Sequence, residues 1–186
     1  MAGKIRNALS FDGVNDYVNV PSSTNYNSTI GTWSFWMKTN GVWGTDNSDT
    51  QNRAVIAVRN DLTGNRNGIF VLQSPASSGG GIKVQAKNAS GTTVCNIAGP
   101  ATVDNLWHHI AVTFSRSSGG PALLYKDGVQ AGSCNNSGAW VFNNQQFRLA
   151  DAQDTFWEEW KGNLDDVRIY NRILSPQEIT TLYNGR

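Results

Sequence analysis

Two adjacent aspartates, Asp165 and Asp166, are a candidate site in this sequence, because paired carboxylates can take part in catalysis or bind a metal ion. They precede "VRIYN", which alternates like a β-strand, and side chains on a strand point alternately to opposite faces. On that pattern Asp165 shares one face with Val167 and Ile169, and Asp166 shares the other with Arg168. We expect Asp166 to pair with Arg168 in solvent. Asp165, turned towards the core, needs a partner because a buried unpaired charge is costly.

The turn "FDGVND" near the start of the chain offers two kinds of partner for Asp165. Its backbone N–H groups could donate hydrogen bonds to the carboxylate, with Asp12 capping the turn. Alternatively, Asp12, Asp16 and Asp165 together could hold one structural calcium ion, which takes about six to eight oxygen ligands. Either arrangement would join the first and last strands, so the sequence predicts a clasp between the two ends of the chain.

Tryptophans beside polar residues suggest a ligand-binding surface, because sugar recognition combines an aromatic platform with nearby hydrogen-bonding groups. Two tryptophans flank the glutamates of "DTFWEEWKGN", a segment that interrupts the strand pattern, and another lies in the long polar loop "NGVWGTDNSDTQNR". In the alternative interpretation these rings fold back and seal the edges of the fold. The candidate ligand-binding residues are Trp43, Asn47, Asp49, Trp157, Glu158 and Trp160.

The two histidines, His108 and His109, are neighbours on a predicted strand and therefore face opposite ways. They cannot jointly hold a metal or relay a proton. We expect one of them at the edge of the core and the other in solvent.

Composition limits the class of protein. The chain has 186 residues and a formal net charge of +1. This length suits a single domain over residues 1–186, and the scattered basic residues argue against a nucleic-acid partner. No apolar run approaches the roughly 20 residues that span a bilayer, so we expect no membrane insertion. The pair Cys95 and Cys134 is compatible with a disulfide or with two free thiols.

The elements that must position these residues are short strands separated by turns rich in Gly, Asn, Asp and Ser. The pair Asp127-Gly128 predicts a tight hairpin, and Asp12-Gly13 predicts an opening hairpin between "ALSFDG" and "DYVNVP". One helix is expected in "SPQEITTLYNGR", where Ser175 and Glu178 can form a capping box. The pattern predicts an all-β fold, an antiparallel sandwich or jelly roll with a short C-terminal helix.

Four segments in order resemble the laminin-G-like jelly-roll domains of the concanavalin A-like lectin/glucanase superfamily. They are "ALSFDGVNDYVNV", "LWHHIAVTF", "LLYKDG" and "GNLDDVRIYNRILSPQEITTLYNG". The resemblance covers residues 8–184 and implies two antiparallel sheets. It implies less about function, because this fold carries lectins, glycanases, adhesion modules and structural decorations. Many domains of the family hold calcium where the first and last strands meet, in keeping with the clasp predicted above.

Enzymatic activity is not expected. Glycanases on this fold carry the pattern Glu-x-Asp-x-x-Glu on one strand, which the three glutamates of this chain, Glu158, Glu159 and Glu178, cannot form. We expect a non-catalytic recognition or adhesion module that is extracellular or surface-exposed and binds a glycan or a protein surface. From its composition, we do not expect the beginning of this sequence to act as a signal peptide. The alternative is a structural decoration protein that assembles on a larger particle, a phage capsid or tail.

Overall fold

Two sheets lie face to face in the computed structural model of the chain, which describes residues 2–21, 28–41, 51–59, 67–140, 147–152 and 157–185. The six-stranded sheet consists, from edge to edge, of β1 (Leu9–Asp12), β13 (Lys161–Tyr170), β3 (Ile30–Thr39), β8 (His108–Ser115), β9 (Pro121–Lys126) and β10 (Val129–Asn135). All its neighbouring strands are antiparallel.

The seven-stranded sheet consists of β2 (Val18–Val20), β11 (Phe147–Leu149), β4 (Arg53–Arg59), β5 (Gly68–Gln73), β6 (Gly81–Lys87) and β7 (Thr93–Ala101), with β12 (Glu158–Glu159) added in parallel to β4. A single 3-10 turn at Ala76–Ser78 lies between β5 and β6. The predicted all-β jelly-roll sandwich is confirmed.

The core lies between the two sheets and follows the alternation of the strands. On β6, buried Ile82 and Val84 alternate with half-exposed polar residues. On β3, Trp33 and Phe35 point into the same core, where the Trp33 ring meets Phe114 edge-on at 5.4 Å. Each sheet therefore has one face in the core and one outer face.

The two hairpin predictions have different outcomes. Asp127 and Gly128 have φ angles of 52° and 80° and connect the paired strands β9 and β10, as predicted. The opening hairpin is wrong, because β1 pairs with β13 of one sheet and β2 pairs with β11 of the other. The Asp12-Gly13 turn, with Gly13 at φ 78°, instead carries the chain from one sheet to the other.

A disulfide joins the two sheets at one side of the sandwich. Cys95 of β7 and Cys134 of β10 are bonded, and their Cα atoms lie 5.8 Å apart. Because β7 and β10 are the edge strands of different sheets, the bond closes the sandwich at this side.

The C-terminal helix α1 (Pro176–Tyr183) forms where the sequence predicts it. Ser175 Oγ accepts the Glu178 N–H at 3.2 Å, and the Glu178 carboxylate accepts the Ser175 N–H at 2.8 Å, which completes the capping box. The helix buries Ile179 against Tyr125 on the outer face of the six-stranded sheet. Within the described ranges, no helix has the length and apolar character needed to cross a bilayer.

Candidate functional site

The strand register separates Asp165 from Asp12, with which it was predicted to share a calcium ion. Asp12 lies opposite Lys161 and Leu9 opposite Leu164, so Asp165 is level with the residue before Leu9. Four residues along a strand correspond to about 13 Å between Asp12 and Asp165. Among the residues that the structure describes, no group of three His, Cys, Asp or Glu side chains is placed to hold a metal ion. The prediction that Asp165 joins Asp12 and Asp16 is wrong.

A β-bulge in β13 reverses the predicted orientation of Asp165. Asp165 lies opposite Trp36 and Arg168 lies opposite Ser34, so three steps on β13 match two steps on β3. The extra residue is Asp166, whose φ of 49° lies in the left-handed region. Since the residue before Asp165 is buried in the core, Asp165 itself points to the outer face of the sheet. The expectation that it shares a face with the apolar residues after the bulge is therefore wrong.

Asp165 has its partner in the first residues of the chain. The N–H of Ile5 donates to Oδ2 of Asp165 at 2.8 Å, and the N–H of Asp166 donates to Oδ1 at 2.8 Å. Gly3 lies so close that a Cβ added there would overlap the carboxylate. The clasp between chain ends exists, but it uses the N-terminal turn, which is closed by a bridge between Ala2 and Asn7, rather than "FDGVND". The expected ion pair of Asp166 with Arg168 is present, with Nε and Oδ1 2.9 Å apart.

The turn at Asp12 satisfies its own polar groups. Oδ1 of Asp12 accepts the N–H of Val14 at 2.8 Å, and Oδ2 of Asp16 accepts the N–H of Asp12 at 3.1 Å. This is the capping role given above as the alternative to calcium. Because these carboxylates and Asp165 accept backbone N–H groups at separate places, they do not fit a calcium ion shared between the chain ends.

Trp157 and Trp160 are buried, with 3% and 0% of their surface exposed, so they do not form the exposed platform predicted for them. The Trp157 ring packs on Phe70 of β5, with centroids 4.5 Å apart, on the outer face of the seven-stranded sheet. Trp160 turns into the core, where its ring lies 6.3 Å from that of Phe11. The two rings therefore seal opposite sides of one sheet, as in the alternative interpretation.

The remaining predicted ligand-binding residues divide into two groups. Glu158 is partly exposed, and its carboxylate forms an ion pair with Arg53 at 2.8 Å. Trp43, Asn47 and Asp49 lie outside the described residues.

Both histidines are buried, so the expectation that one of them meets solvent is wrong. The His108 ring lies between two carboxylates, with Nδ1 2.8 Å from Asp127 and Nε2 2.9 Å from Asp104. The His109 ring is 1% exposed, and its Nε2 lies 2.9 Å from the Ser34 hydroxyl. Burial lowers the pKa of His109 to about 4.

The outer face of the six-stranded sheet is covered around His109. Tyr183 of α1 stacks on Trp36 with centroids 5.7 Å apart, and the Lys4 ammonium lies 4.7 Å from the centre of the Trp36 ring. Trp36 is 2% exposed as a result. The Ser34–His109 pair is therefore closed off from substrate and does not form a nucleophile–base site.

The outer face of the seven-stranded sheet carries an open set of polar side chains along β6 and β7. Lys83, Gln85 and Lys87 alternate with core residues on β6, and the Gln85 amide donates to Oδ1 of Asn96 on β7 at 3.2 Å. We call these four residues the polar strip. The Lys87 ammonium lies 5.5 Å from the centre of the Trp157 ring, so Trp157 borders the strip.

Sequence reasoning missed the polar strip, although its signal is present. The segment "GIKVQAK" alternates apolar and polar residues, which indicates a strand with one polar face. The alternation does not tell whether another segment covers that face. In the structure Lys83, Gln85 and Lys87 are half-exposed and Asn96 is exposed.

Comparison with known proteins gives sequence relatives of this chain and solved structures with a similar fold. The protein of Rattus norvegicus called sushi, von Willebrand factor type A, EGF and pentraxin domain-containing protein 1 is 28% identical over 162 residues, which is 81% of this chain and 4% of that protein. Neuronal pentraxin-2 of Cavia porcellus is 29% identical over 89 residues, which is 44% of this chain and 21% of that protein. The chain thus spans a small part of the length of these curated relatives.

Solved structures share the fold at low identity. The binding domain of Paraclostridial Mosquitocidal Protein 1 superposes with a TM-score of 0.77 at 18% identity, covering 99% of this chain and 44% of that one. Domain 4 of AbnA, an arabinanase of Geobacillus stearothermophilus solved with arabinotriose, gives 0.70 at 21% identity, covering 98% and 79%. The CBM40 of the Ruminococcus gnavus IT-sialidase, solved with α2,3-sialyllactose, gives 0.65 at 15% identity, covering 91% and 97%.

A family model of laminin G domains, in the concanavalin A-like lectin/glucanases superfamily, matches residues 12–180. This match covers β2 to β13, the last residue of β1 and most of α1. The chain belongs to this laminin G family.

Proposed function

We propose that this chain is a non-catalytic recognition module that binds a glycan through the polar strip on the outer face of the seven-stranded sheet. The observation that carries the proposal is the row of half-exposed polar side chains on β6, with the exposed Asn96 beside it on β7. Solved structures with a similar fold support a binding role in general. AbnA domain 4 and the CBM40 were solved with oligosaccharides, and the mosquitocidal protein domain is named a binding domain.

The polar strip has the chemistry that sugar hydroxyls require. Amides offer donors and acceptors in fixed directions, and the hydrogen bond between Gln85 and Asn96 fixes both side chains while leaving further donors and acceptors for a ligand. Lys83 is held by a 3.4 Å contact between its Nζ and Oδ1 of Asn52. Preorganised groups of this kind reduce the entropic cost of binding.

Two of the described glutamates are engaged in ion pairs, which supports binding rather than hydrolysis. Glycoside hydrolysis needs two carboxyl groups about 5–10 Å apart on either side of the scissile bond. Glu158 is committed to Arg53, and Glu178 is paired with Arg172 while it caps α1. The polar strip itself contains no carboxylate.

An extracellular location is part of the proposal. The Cys95–Cys134 disulfide persists in oxidising surroundings and is rare in reducing ones. The domain architecture in the name of the rat relative, with its sushi and EGF units, is in keeping with this. The decoration role on a phage particle stays a prediction on which these relatives do not bear.

A glycan array followed by titration calorimetry tests the proposal. The array includes arabinan fragments and sialylated oligosaccharides beside a broad panel, and the best ligand is titrated into wild type, Gln85→Ala and Asn96→Ala. The matched control is Gln130→Ala, which removes an exposed amide from β10 of the other sheet. We expect the Kd to rise at least tenfold in both strip variants and to stay unchanged in the control.

Two outcomes would contradict the proposal. One is an array without a ligand. The other is a ligand whose affinity survives both strip substitutions, which would place the site elsewhere on the molecule. Unchanged circular dichroism and melting temperatures establish that the variants are folded.

A further inference from the structure

A cleft of about 290 Å³ opens between the N-terminal turn and the end of α1, the two segments that cover the six-stranded sheet. Its lining comes from the turn on one side, from the helix end on the other and from β3 beneath: Lys4, Ile5, Tyr183, Asn184, Gly185 and Trp36. It shares no residue with the polar strip, which belongs to the other sheet. Ligand pockets in proteins measure about 300–1,000 Å³, so this cleft suits a small ligand.

The N-terminal wall of the cleft is held against the sheet. The N–H of Gly3 donates to the carbonyl of Arg6 at 2.8 Å, which closes the turn, and the N–H of Ile5 donates to the Asp165 carboxylate. The backbone on either side of Lys4 is therefore fixed. Ile5 is 46% exposed, so this wall presents an apolar side chain from a fixed backbone.

The helical wall of the cleft is held in the same way. The Tyr183 ring stacks on Trp36, and the N–H of Asn184 donates to the carbonyl of Thr180 at 3.0 Å. The Thr180 hydroxyl lies 3.2 Å from the carbonyl of Gly128, to which it donates, and this bond ties the helix to the hairpin between β9 and β10. Both walls are preformed, so a ligand binds without the entropic cost of ordering them.

The cleft combines an aromatic ring with available hydrogen-bonding groups, which is the combination that a sugar requires. Tyr183 is 37% exposed. Among the described residues, neither its hydroxyl nor the side-chain amide of Asn184 takes part in a hydrogen bond. The Lys4 ammonium lies over the Trp36 ring and pairs with no carboxylate of the described chain. An ammonium has three N–H groups, so contact with the ring face leaves donors for a ligand.

The charges around the cleft favour a neutral sugar over an acidic one. Of the described residues that line it, only Lys4 carries a charge. Asp165 lies beneath the same turn with the opposite charge, and the last carbonyls of α1 add a partial negative charge at the other wall. A carboxylate in the cleft would be attracted by the ammonium and repelled by the other two. Hydroxyl groups both donate and accept, so they suit all three.

We propose that this cleft is a second binding site, which takes one neutral pyranose residue of a glycan. The apolar face of the sugar ring lies against Tyr183 and Ile5. Its hydroxyls exchange hydrogen bonds with the Asn184 amide and accept from the Lys4 ammonium. Because the cleft and the polar strip lie on the sides of different sheets, the two sites do not compete, and this one is tested separately from the function proposed above.

Nuclear magnetic resonance of the ¹⁵N-labelled protein tests the proposal, because it locates weak binding. Glucose, galactose and mannose are the neutral probes, the corresponding uronates are their acidic counterparts, and choline tests whether the two rings prefer a cation. We expect at least one neutral sugar to give saturable shifts of the Ile5 and Gly185 backbone amides and of the Asn184 side-chain amide. The affinity for its uronate and for choline should be at least tenfold lower.

Three variants connect the shifts to the cleft. Asn184→Ala removes an exposed amide and should raise the Kd for the neutral sugar at least fivefold. Tyr183→Ala removes the ring that contacts the sugar and should abolish saturable binding. The matched control is Gln177→Ala, which removes an exposed amide from the same helix outside the cleft and should leave the Kd unchanged.

Each other result overturns the assignment. Cleft signals that do not shift with any neutral sugar, or that shift equally in Asn184→Ala, remove the site. A uronate as the strongest ligand makes it an acidic-sugar site, and choline as the strongest makes it a cation site. Since Gln85→Ala leaves this cleft intact, shifts that disappear in that variant would also refute a separate second site. The amide spectra show whether the variants are folded; if Tyr183→Ala is not, Asn184→Ala decides.

Discussion

Replacing Asp165 by Asn tests the clasp between the chain ends most directly, and replacing Asp166 by Asn provides a matched control. Both substitutions remove one negative charge and keep the shape of the side chain. Asp165 accepts N–H groups of Ile5 and of the residue after it, and only 8% of its surface is exposed. Asp166 faces an Arg168 side chain that is 43% exposed.

The expected magnitudes follow from these environments. A hydrogen bond to a charged acceptor contributes about 1.5–3 kcal/mol, and an Asn at 165 turns its NH₂ group towards one of the two donors. We therefore expect Asp165→Asn to lower the free energy of unfolding by about 2–3 kcal/mol and the melting temperature by about 4–12 °C. An exposed ion pair contributes at most about 1 kcal/mol, and Asn tolerates the positive φ at position 166. Asp166→Asn should therefore cost about 1 kcal/mol or less.

Urea unfolding monitored by tryptophan fluorescence measures both values, and amide hydrogen exchange of Ile5 reports the clasp locally. Protection of the Ile5 amide should be lost in Asp165→Asn and kept in Asp166→Asn. Gly3→Ala, whose added methyl would overlap the Asp165 carboxylate, should cost less in the Asp165→Asn background than alone, since both changes disturb one contact. Equal losses of stability in the two Asn variants would refute the reasoning.

Calcium provides a further check on the same variants. Because Asp165 is satisfied by backbone N–H groups, the difference between wild type and Asp165→Asn should be the same in calcium chloride and in EDTA. A calcium-dependent gain of stability that Asp165→Asn abolishes would restore the calcium clasp and contradict the register argument.

Two further predictions concern stability under reducing and acidic conditions. Reduction of the Cys95–Cys134 bond, which spans a sequence separation of 39, should lower the stability by about 4 kcal/mol on the chain-entropy estimate, and a Cys95→Ser, Cys134→Ser double variant should lose its sensitivity to reductant. For His109, the pKa is about 4 in the folded protein and about 6.5 in the unfolded chain, so the unfolded state binds more protons below pH 6.5. Stability should therefore fall as the pH drops from 6.5 to 4, by about 3 kcal/mol from this residue, and level off below pH 4. In His109→Gln this part of the pH dependence should vanish; a slope identical to wild type would contradict the burial argument.

Local signals in the sequence predicted the elements whose formation depends on local interactions. The Asp127-Gly128 hairpin and the capping box of Ser175 and Glu178 both appear as predicted, because the turn or cap is made by the residues that signal it. The opening turn shows the limit of this reasoning. Asp12-Gly13 does form a turn, but which strands pair on either side is decided by distant residues of β13 and β11.

A single inserted residue explains why the site predictions around Asp165 failed. Period-two alternation assigns faces correctly only while the register holds, and a β-bulge moves every later side chain to the other face. Asp166 tolerates the left-handed conformation better than most residues do. Nothing in "LDDVRIY" distinguishes a bulged strand from a regular one. The face of Asp165 therefore depends on its pairing with Trp36.

The exposure of the tryptophans of "DTFWEEWKGN" could not be predicted from the sequence for a different reason. Composition shows that the segment is rich in aromatic rings, but exposure depends on what lies beneath and beside it. Trp157 finds Phe70 on the outer face of β5, and Trp160 finds Phe11 in the core, so both large apolar surfaces are removed from water. Burying a large apolar side chain stabilises the folded state by about 1.5–3 kcal/mol relative to leaving it exposed. An exposed arrangement would forgo that stabilisation.

Other segments of the chain cover parts of the outer faces of both sheets. Only the uncovered parts can contact a partner. On the six-stranded sheet, the N-terminal turn and α1 converge over Trp36 and bury it together with His109. On the seven-stranded sheet, Trp157 packs on Phe70 of β5, while Gln85 of β6 is half-exposed and Asn96 of β7 is exposed. Covering the first face requires the clasp at Asp165 and the capped helix, which are both local to the chain ends. The same contacts that close one face therefore leave the other as the face on which we propose that a ligand binds. A variant that releases the N-terminal turn should weaken the fold without changing glycan affinity at the polar strip.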